Sequence, residues 1–265
     1  MSGGTSSLLS VAGVGSAAPA SARQAVRSNA RASADFAAKL AQTGQLLRQA
    51  ALHGSGEGGV TQASSLGAED VVITHLINAL ALDIPVFVLE TGALHRETLA
   101  LLERTEATSR APVRVYRPQH EQVIDFVRRE GQDAMYRSLE LRKQCCGIRK
   151  MEPLARALAG KSAWITGLRR EQSNARADVP AIDTSEVETK GLTKYNPLAD
   201  WTWGDVWHYI ATNDVDYNPL HDQFYPSVGC APCTRAISLG EDFRAGRWWW
   251  EDEAAKECGL HVKAA

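Results

Sequence analysis

Val60-Thr61-Gln62-Ala63-Ser64-Ser65-Leu66-Gly67-Ala68-Glu69-Asp70 reads as a short buried strand that runs into a small-residue turn and opens a helix. Val72, Leu76 and Ala79, just beyond, fall on one helical face. Residues 85–89, 113–116 and 163–166 read as further buried strands, with helices expected over 95–106 and 121–130. Strand and helix thus alternate, which predicts an α/β fold with a doubly wound, mostly parallel sheet. Such sheets bind ligands beyond the carboxyl ends of their strands, where the turn at Ser64 falls.

Outward from this body, residues 33–53 predict a first helix, and the glycine-rich stretch 54–59 a flexible break. Residues 1–34 hold no Asp or Glu, are rich in Ser, Ala and Gly, and carry Arg23, Arg27 and Arg31. That composition predicts a disordered tail, with an organelle transit peptide as the alternative. From Ala199 the alternation fades into a Trp-rich helix and an irregular C-terminal region. The expected division is a tail over 1–34, an α/β domain over 35–240 and a mobile C-terminal segment over 241–265.

Composition narrows the function classes. Of 265 residues, 44% are apolar and 23% charged, as in a soluble globule. With 29 Lys and Arg against 31 Asp and Glu, the net charge of -2 offers no basic surface for nucleic acid. No apolar run reaches the roughly 18 residues of a membrane span. The odd cysteine count of five argues against a closed disulfide framework and for a reducing, cytoplasmic setting.

The turn at 64–70 could bring backbone amides and a helix N-terminus to an anion, although serine and glycine there also suit simple capping. It lacks the Gly-Lys-Ser/Thr ending of a nucleoside-triphosphate loop. The cysteines are more specific. Cys145-Cys146 and Cys230-Ala231-Pro232-Cys233 form two pairs, a ligand set that suits zinc or an iron–sulfur cluster. Adjacent ligands diverge, which favours a multi-atom cluster over one ion. Cys258, in Lys256-Glu257-Cys258-Gly259-Leu260-His261, is the surplus thiol, open to reading as a nucleophile or as an incidental surface cysteine. Trp248–Trp250 and Trp201, Trp203 and Trp207 are expected to serve packing, and no histidine other than His261 is singled out.

Gln144-Cys145-Cys146-Gly147-Ile148-Arg149-Lys150, Gly229-Cys230-Ala231-Pro232-Cys233-Thr234 and Glu257-Cys258-Gly259-Leu260-His261 together resemble the assimilatory adenylyl-sulfate (APS) reductases of bacterial iron–sulfur type, within the PAPS/APS reductase family. Leu89-Glu90-Thr91-Gly92, Thr166–Ser173, Asn196-Pro197-Leu198 and Gly246-Arg247-Trp248-Trp249-Trp250 support it, and the likeness spans roughly residues 60–261. The resemblance implies an adenine-nucleotide alpha-hydrolase-like fold and thioredoxin-dependent reduction of adenylyl sulfate to sulfite and AMP through an S-sulfocysteine. It implies a 4Fe–4S cluster on Cys145, Cys146, Cys230 and Cys233, with Cys258 as nucleophile. Phosphosulfate contacts would fall on Ser64, Ser65, Gly67, Lys150, Arg176, Arg244, Arg247 and His261, and arginine forks suit such oxygens. A separate thioredoxin would be the electron donor; neither nucleic acid nor membrane is an expected partner, and homo-oligomerisation is left open. Leu66 and Glu90 depart from residues common among relatives at those positions. A PAPS reductase is the alternative, and an ATP pyrophosphatase-type adenylating enzyme or a metal-organised nucleic-acid module are the remote ones.

Overall fold

The computed structural model describes residues 23–252. In chain order the elements are α1 (Gln24–Asn29), α2 (Phe36–Ala51), β1 (Val60–Ser64), α3 (Ala68–Ala79), β2 (Val86–Leu89), α4 (Arg96–Thr108), β3 (Val113–Tyr116) and α5 (His120–Glu130). Then follow α6 (Leu139–Cys146), α7 (Glu152–Leu158), β4 (Ala163–Ile165), β5 (Ile182–Asp183), α8 (Val187–Lys190), β6 (Thr193–Tyr195) and α9 (Trp203–Thr212). The six strands form one sheet in the order β3-β2-β1-β4-β6-β5. All neighbours pair in parallel except β5, which lies antiparallel on β6 at the edge. The four expected strands are present in the expected places. The β5–β6 pair, with only two and three residues, has too few positions to show a period.

Period-two alternation assigns the two faces of the sheet. Val60, Val86, Val88 and Ile165 point into a core with α2, α3, α4 and α9, through Leu47, Ile73, Ile77, Leu101, Val206 and Trp207. Phe87 and Trp164, one residue out of phase, pack on the opposite face against Leu154 and Ala157 of α7 and against Leu192. Both faces are covered, as a doubly wound sheet requires. No helix among the described residues is long and apolar enough to cross a membrane.

The expected disordered tail does not extend to residue 34. Arg23 and Ala25 donate their backbone N–H groups to the Asp222 carboxylate at 3.1 and 2.8 Å, and Ala25 is buried in the core. Arg31 N–H bonds the Gly204 carbonyl at 3.2 Å, and Ser33 N–H bonds Asp205 at 2.7 Å. The segment is held by carboxylates far away in sequence, so its own composition carries no sign of them. Residues 1–22 lie outside the described residues.

Asp205 joins this segment to α9. Its side chain has no exposed surface, and it accepts from Thr202 N–H at 2.9 Å, from Ser33 N–H and Oγ, and from the Lys39 ammonium at 3.2 Å. Thr202 completes a capping box by accepting from Asp205 N–H at 3.0 Å. Burial works to raise the Asp205 pKa, but the hydrogen bonds from Ser33 and Thr202 outweigh it and bring it down to about 2 from 3.8. A depressed carboxylate contributes stability above its unfolded pKa that is lost as pH falls through the folded one, here about 2 kcal/mol between about pH 4 and pH 2. Asp205→Asn is therefore expected to be less stable than wild type in urea at neutral pH, with the gap closing towards pH 2. A gap that stays constant with pH would show that the charge of Asp205 contributes nothing.

Candidate active site

The sheet order reverses beside β1, with β2 on one side and β4 on the other. Loops leaving the carboxyl ends of β1 and β4 diverge there and open a cleft of about 210 Å³. Ser64, Ser65 and Gly67 line it from the first loop, and Gly167 and Leu168 from the second. Lys150, Arg176, Arg244 and Arg247 complete its cationic wall, the last three each at most 8% exposed. The structure thus brings together Ser64, Ser65, Gly67, Lys150, Arg176, Arg244 and Arg247. Cys258 and His261 lie outside the described residues.

The first loop is closed by the helix that follows it. Asp70 accepts from both the N–H and the Oγ of Ser65 at 2.7 Å, while Ser64 Oγ accepts from Leu66 N–H at 3.2 Å. Leu66 takes a left-handed φ of 60°, which costs an L-residue roughly 1–2 kcal/mol. Its side chain is turned into the hydrophobic core, so this unusual leucine does not narrow the cleft. Burial pushes the Asp70 carboxyl up to about 6, even though its bonds with Ser65 work the other way.

Glu69 ties the first loop to the second. Its Oε1 accepts from Arg169 Nε at 2.9 Å and from Gln172 Nε2 at 3.0 Å. Burial works against this charge, but Arg169 and then Gln172 outweigh it and hold the carboxyl below its usual range. Arg169 is itself buried beneath the rings of Trp203 and Phe243, its guanidinium carbon 5.4 and 5.9 Å from their centroids. It is a structural strut, whereas Arg170 is an exposed partner of Asp200. Arg176 joins the same wall through Nη1 to Gln172 Oε1 at 2.6 Å. An acidic pair directly after a serine–glycine turn is the sequence signal for this tie.

A second cavity, of about 310 Å³, adjoins the cleft and is lined by Cys145, Cys146, Cys230 and Cys233. Cys145 and Cys146 end α6, and the helix continues as a wider π-turn over Gly147–Met151 before α7. That turn carries Lys150 into a position where it lines both cavities, as do Cys230 and Leu94. The Thr91–Gly92 turn, absent from the expected site, serves both cysteine pairs. Thr91 Oγ1 lies 3.3 Å from Cys230 Sγ, and the Thr91 carbonyl accepts from Arg149 Nη1 at 2.6 Å. Gly92 holds a φ of 69°, and a Cβ there would stand 3.1 Å from Arg149. Glu90 braces the turn by accepting from Gly92 N–H at 2.6 Å and from Arg117 Nε at 3.2 Å.

The charge pattern around the thiols is uneven. Burial and then Cys230 push the Cys233 thiol up to about 12, and burial and then Cys146 raise Cys145. Burial would raise Cys230 too, but Lys150, Thr91, Arg247 and Arg149 outweigh it and leave it below the ordinary value. Among the described residues, no three His, Cys, Asp or Glu side chains are spaced to hold a single metal ion. Four thiols around a cavity of this size instead suit a multi-atom cluster, with cations at hand for the charge of its thiolates.

Comparison with known proteins agrees with this geometry. Residues 59–236 match the phosphoadenosine phosphosulfate reductase domain family. A curated adenosine 5'-phosphosulfate reductase of Allochromatium vinosum is 54% identical over 199 residues, covering 75% of this chain and 77% of that protein. One from Burkholderia cepacia is 50% identical over 228 residues, covering 86% and 89%. Among solved structures, a phosphoadenylyl-sulfate reductase of Candida auris in a phosphate complex superposes with a TM-score of 0.59 at 26% identity, over 71% of this chain and 88% of that one. A Candida glabrata FMN adenylyltransferase, with a TM-score of 0.54 and 11% identity over 88% and 83% of the two chains, shares the fold alone.

The two loops meet at Gly167, where a Cβ would collide with Asp70 Oδ1 and stand 2.9 Å from Glu69 Cβ. Gly167→Ala is expected to lose about 1–3 kcal/mol of stability in urea unfolding, as overpacking of a fixed contact does. Wild-type stability in that variant would show that the loops can part without loss.

Proposed function

The chain belongs to the phosphoadenosine phosphosulfate reductase family, and from that membership we propose that it reduces adenylyl sulfate to sulfite and AMP. It is an oxidoreductase acting on sulfur. The observation that carries the substrate reading is the cleft at the strand ends, where small-residue loops face Lys150, Arg176, Arg244 and Arg247. Backbone amides and a helix N-terminus on one side, and guanidinium forks on the other, suit the oxygens of a phosphosulfate. The apolar remainder, from Phe87, Val88, Leu89, Leu154 and Trp164, is of a kind to hold an adenine ring.

In the proposed reaction the Cys258 thiolate attacks the sulfate sulfur. A sulfur–sulfur bond forms, the bond from sulfur to the bridging oxygen breaks, and AMP leaves with that electron pair. A thiol of an external dithiol protein, of the thioredoxin kind, then attacks the Cys258 sulfur. Sulfite departs with the electron pair of the S–S bond, and the second thiol resolves the mixed disulfide and frees Cys258. The reductant is oxidised to a disulfide, and sulfur passes from the sulfate to the sulfite level. Ser64, Ser65, Gly67, Lys150 and the three arginines bind and orient the anion, and His261 completes that set.

Cys145, Cys146, Cys230 and Cys233 would hold a 4Fe–4S cluster, whose bound charge would add to the field that Lys150 balances at the cleft. Thiols kept reduced for such a centre fit a cytoplasmic enzyme.

Mass spectrometry tests the nucleophile. Wild-type protein incubated with adenylyl sulfate and no reductant should gain about 80 Da, a sulfonate, on the Cys258 peptide. Cys258→Ser should bind the nucleotide yet form no adduct and release no sulfite; normal turnover in that variant would overturn the reading. Side-by-side specificity constants decide the substrate, with adenylyl sulfate expected to exceed its 3′-phosphorylated form and the reverse order assigning the chain as a PAPS reductase. Anaerobically purified protein should carry iron and acid-labile sulfide at roughly four each per chain, lost on replacing any of the four paired cysteines by Ser. Stoichiometric zinc without sulfide would remove the cluster from the proposal.

A further inference from the structure

Trp248 packs in the apolar cluster that includes Cys145, Cys230 and Cys233, and its ring is fully buried. The guanidinium carbons of Arg142 and Arg247 both lie over it, 4.6 and 4.7 Å from the centroid. Its indole nitrogen is buried and has no acceptor among the described residues. The backbone takes a φ of 41°, which a bulky residue keeps only where its surroundings impose it. Here Trp248 N–H donates to the Cys233 carbonyl at 3.2 Å, and Glu251 N–H donates to the Trp248 carbonyl at 2.9 Å.

Each guanidinium belongs to a different cavity. Arg142 lines the four-cysteine cavity, hydrogen-bonds Cys146, and is forked onto Glu251 at 2.9 and 2.7 Å, with both side chains buried. Arg247 lines the cleft. Its other contacts are modest: Nη1 reaches the Val228 carbonyl at 3.1 Å and Ser227 Oγ at 3.4 Å, and Nε has no partner among the described residues. Gly229 leaves the space it occupies, since a Cβ there would stand 2.6 Å from its guanidinium carbon. Two buried cations repel, and the negative face of one indole with the Glu251 carboxylate offsets that repulsion. Removing the ring would leave Arg247 only weak neutral acceptors and room to swing.

We propose that Trp248 is a positioning residue, whose ring holds the Arg247 guanidinium towards the cleft and ties it through Arg142 to the four-cysteine cavity. The proposal rests on the adenylyl-sulfate reading above. The test is a double-mutant cycle on anaerobically purified full-length chain, reading equilibrium binding of adenylyl sulfate and of AMP alongside iron content. Trp248→Leu should weaken adenylyl-sulfate binding about tenfold with iron content unchanged, and Trp248→Phe, which keeps a ring face, should stay within about threefold of wild type. In an Arg247→Ala background, Trp248→Leu should change affinity by less than about twofold, because its effect passes through the arginine. Should Trp248→Leu fail to fold, the same cycle with Trp248→Met decides. Additive effects in the cycle, or a Phe variant as weak as Leu, overturn the positioning role. A wild-type chain that binds neither nucleotide overturns the functional reading itself, a result distinct from an additive cycle in a chain that binds both.

Discussion

Two carboxylates buried in the first turn of α3 govern how the loops of this sheet are held open. Glu69 reaches Arg169 and Gln172 in the loop after β4, while Asp70 closes the loop after β1 through Ser65 and abuts Gly167. A buried ion pair such as Glu69–Arg169 adds little net stability against an apolar substitute, yet breaking it leaves an uncompensated charge and costs about 3–5 kcal/mol. It therefore acts as a constraint on geometry, because the loops cannot drift apart without stranding one partner. The helix N-terminus adds partial positive charge beneath both acids and helps keep Glu69 ionised. Asp70, pushed up by its burial, lies near 6.

The second cavity inherits its position from this arrangement. α7 packs Leu154 and Ala157 on the Phe87–Trp164 face of the sheet, which fixes the C-terminal end of the π-turn. A π-turn adds a residue to one helical turn and so re-aims the side chains that follow, a feature frequent at functional sites. Lys150 is consequently shared between cleft and cysteines rather than committed to either. Because Lys150 and Arg247 both lower the Cys230 thiol while both line the cleft, charge on either side is felt on the other.

Much of this was legible in the chain. The strands at 60–64, 86–89, 113–116 and 163–165 are apolar runs between glycines and helices, and buried parallel strands announce themselves in that way. The cysteine pairs carried the resemblance that pointed to Lys150, Arg176, Arg244 and Arg247, and the structure places these four around one cleft. What was not legible depends on partners remote in sequence. Nothing around Ala25 signals that Asp222 will cap its helix, and nothing in Arg142 signals Glu251 and Trp248. Arg169 and Arg170 are neighbours of the same type in sequence, but burial makes one a strut and leaves the other at the surface. Leu66 departs from the residues common among relatives without narrowing the cleft, because its left-handed backbone, which cannot be read from a leucine, sends the side chain into the core.

The irregular region after α9 follows a different logic from the sheet. It has few backbone ladders, so its shape rests on scattered ties: the Arg235 side chain is forked onto Glu241 at 2.9 and 2.6 Å, and the Thr234 and Arg247 backbones pair in an isolated bridge. Arg244 and Arg247 thus reach the cleft from a segment that is knitted to the Cys230–Cys233 turn, whereas Ser64, Ser65 and Gly67 reach it from the sheet. An anion bound in the cleft would bridge these two supports. Its affinity then depends on how firmly each is held, which makes the packing around Trp248 as relevant to binding as the loop at the end of β1.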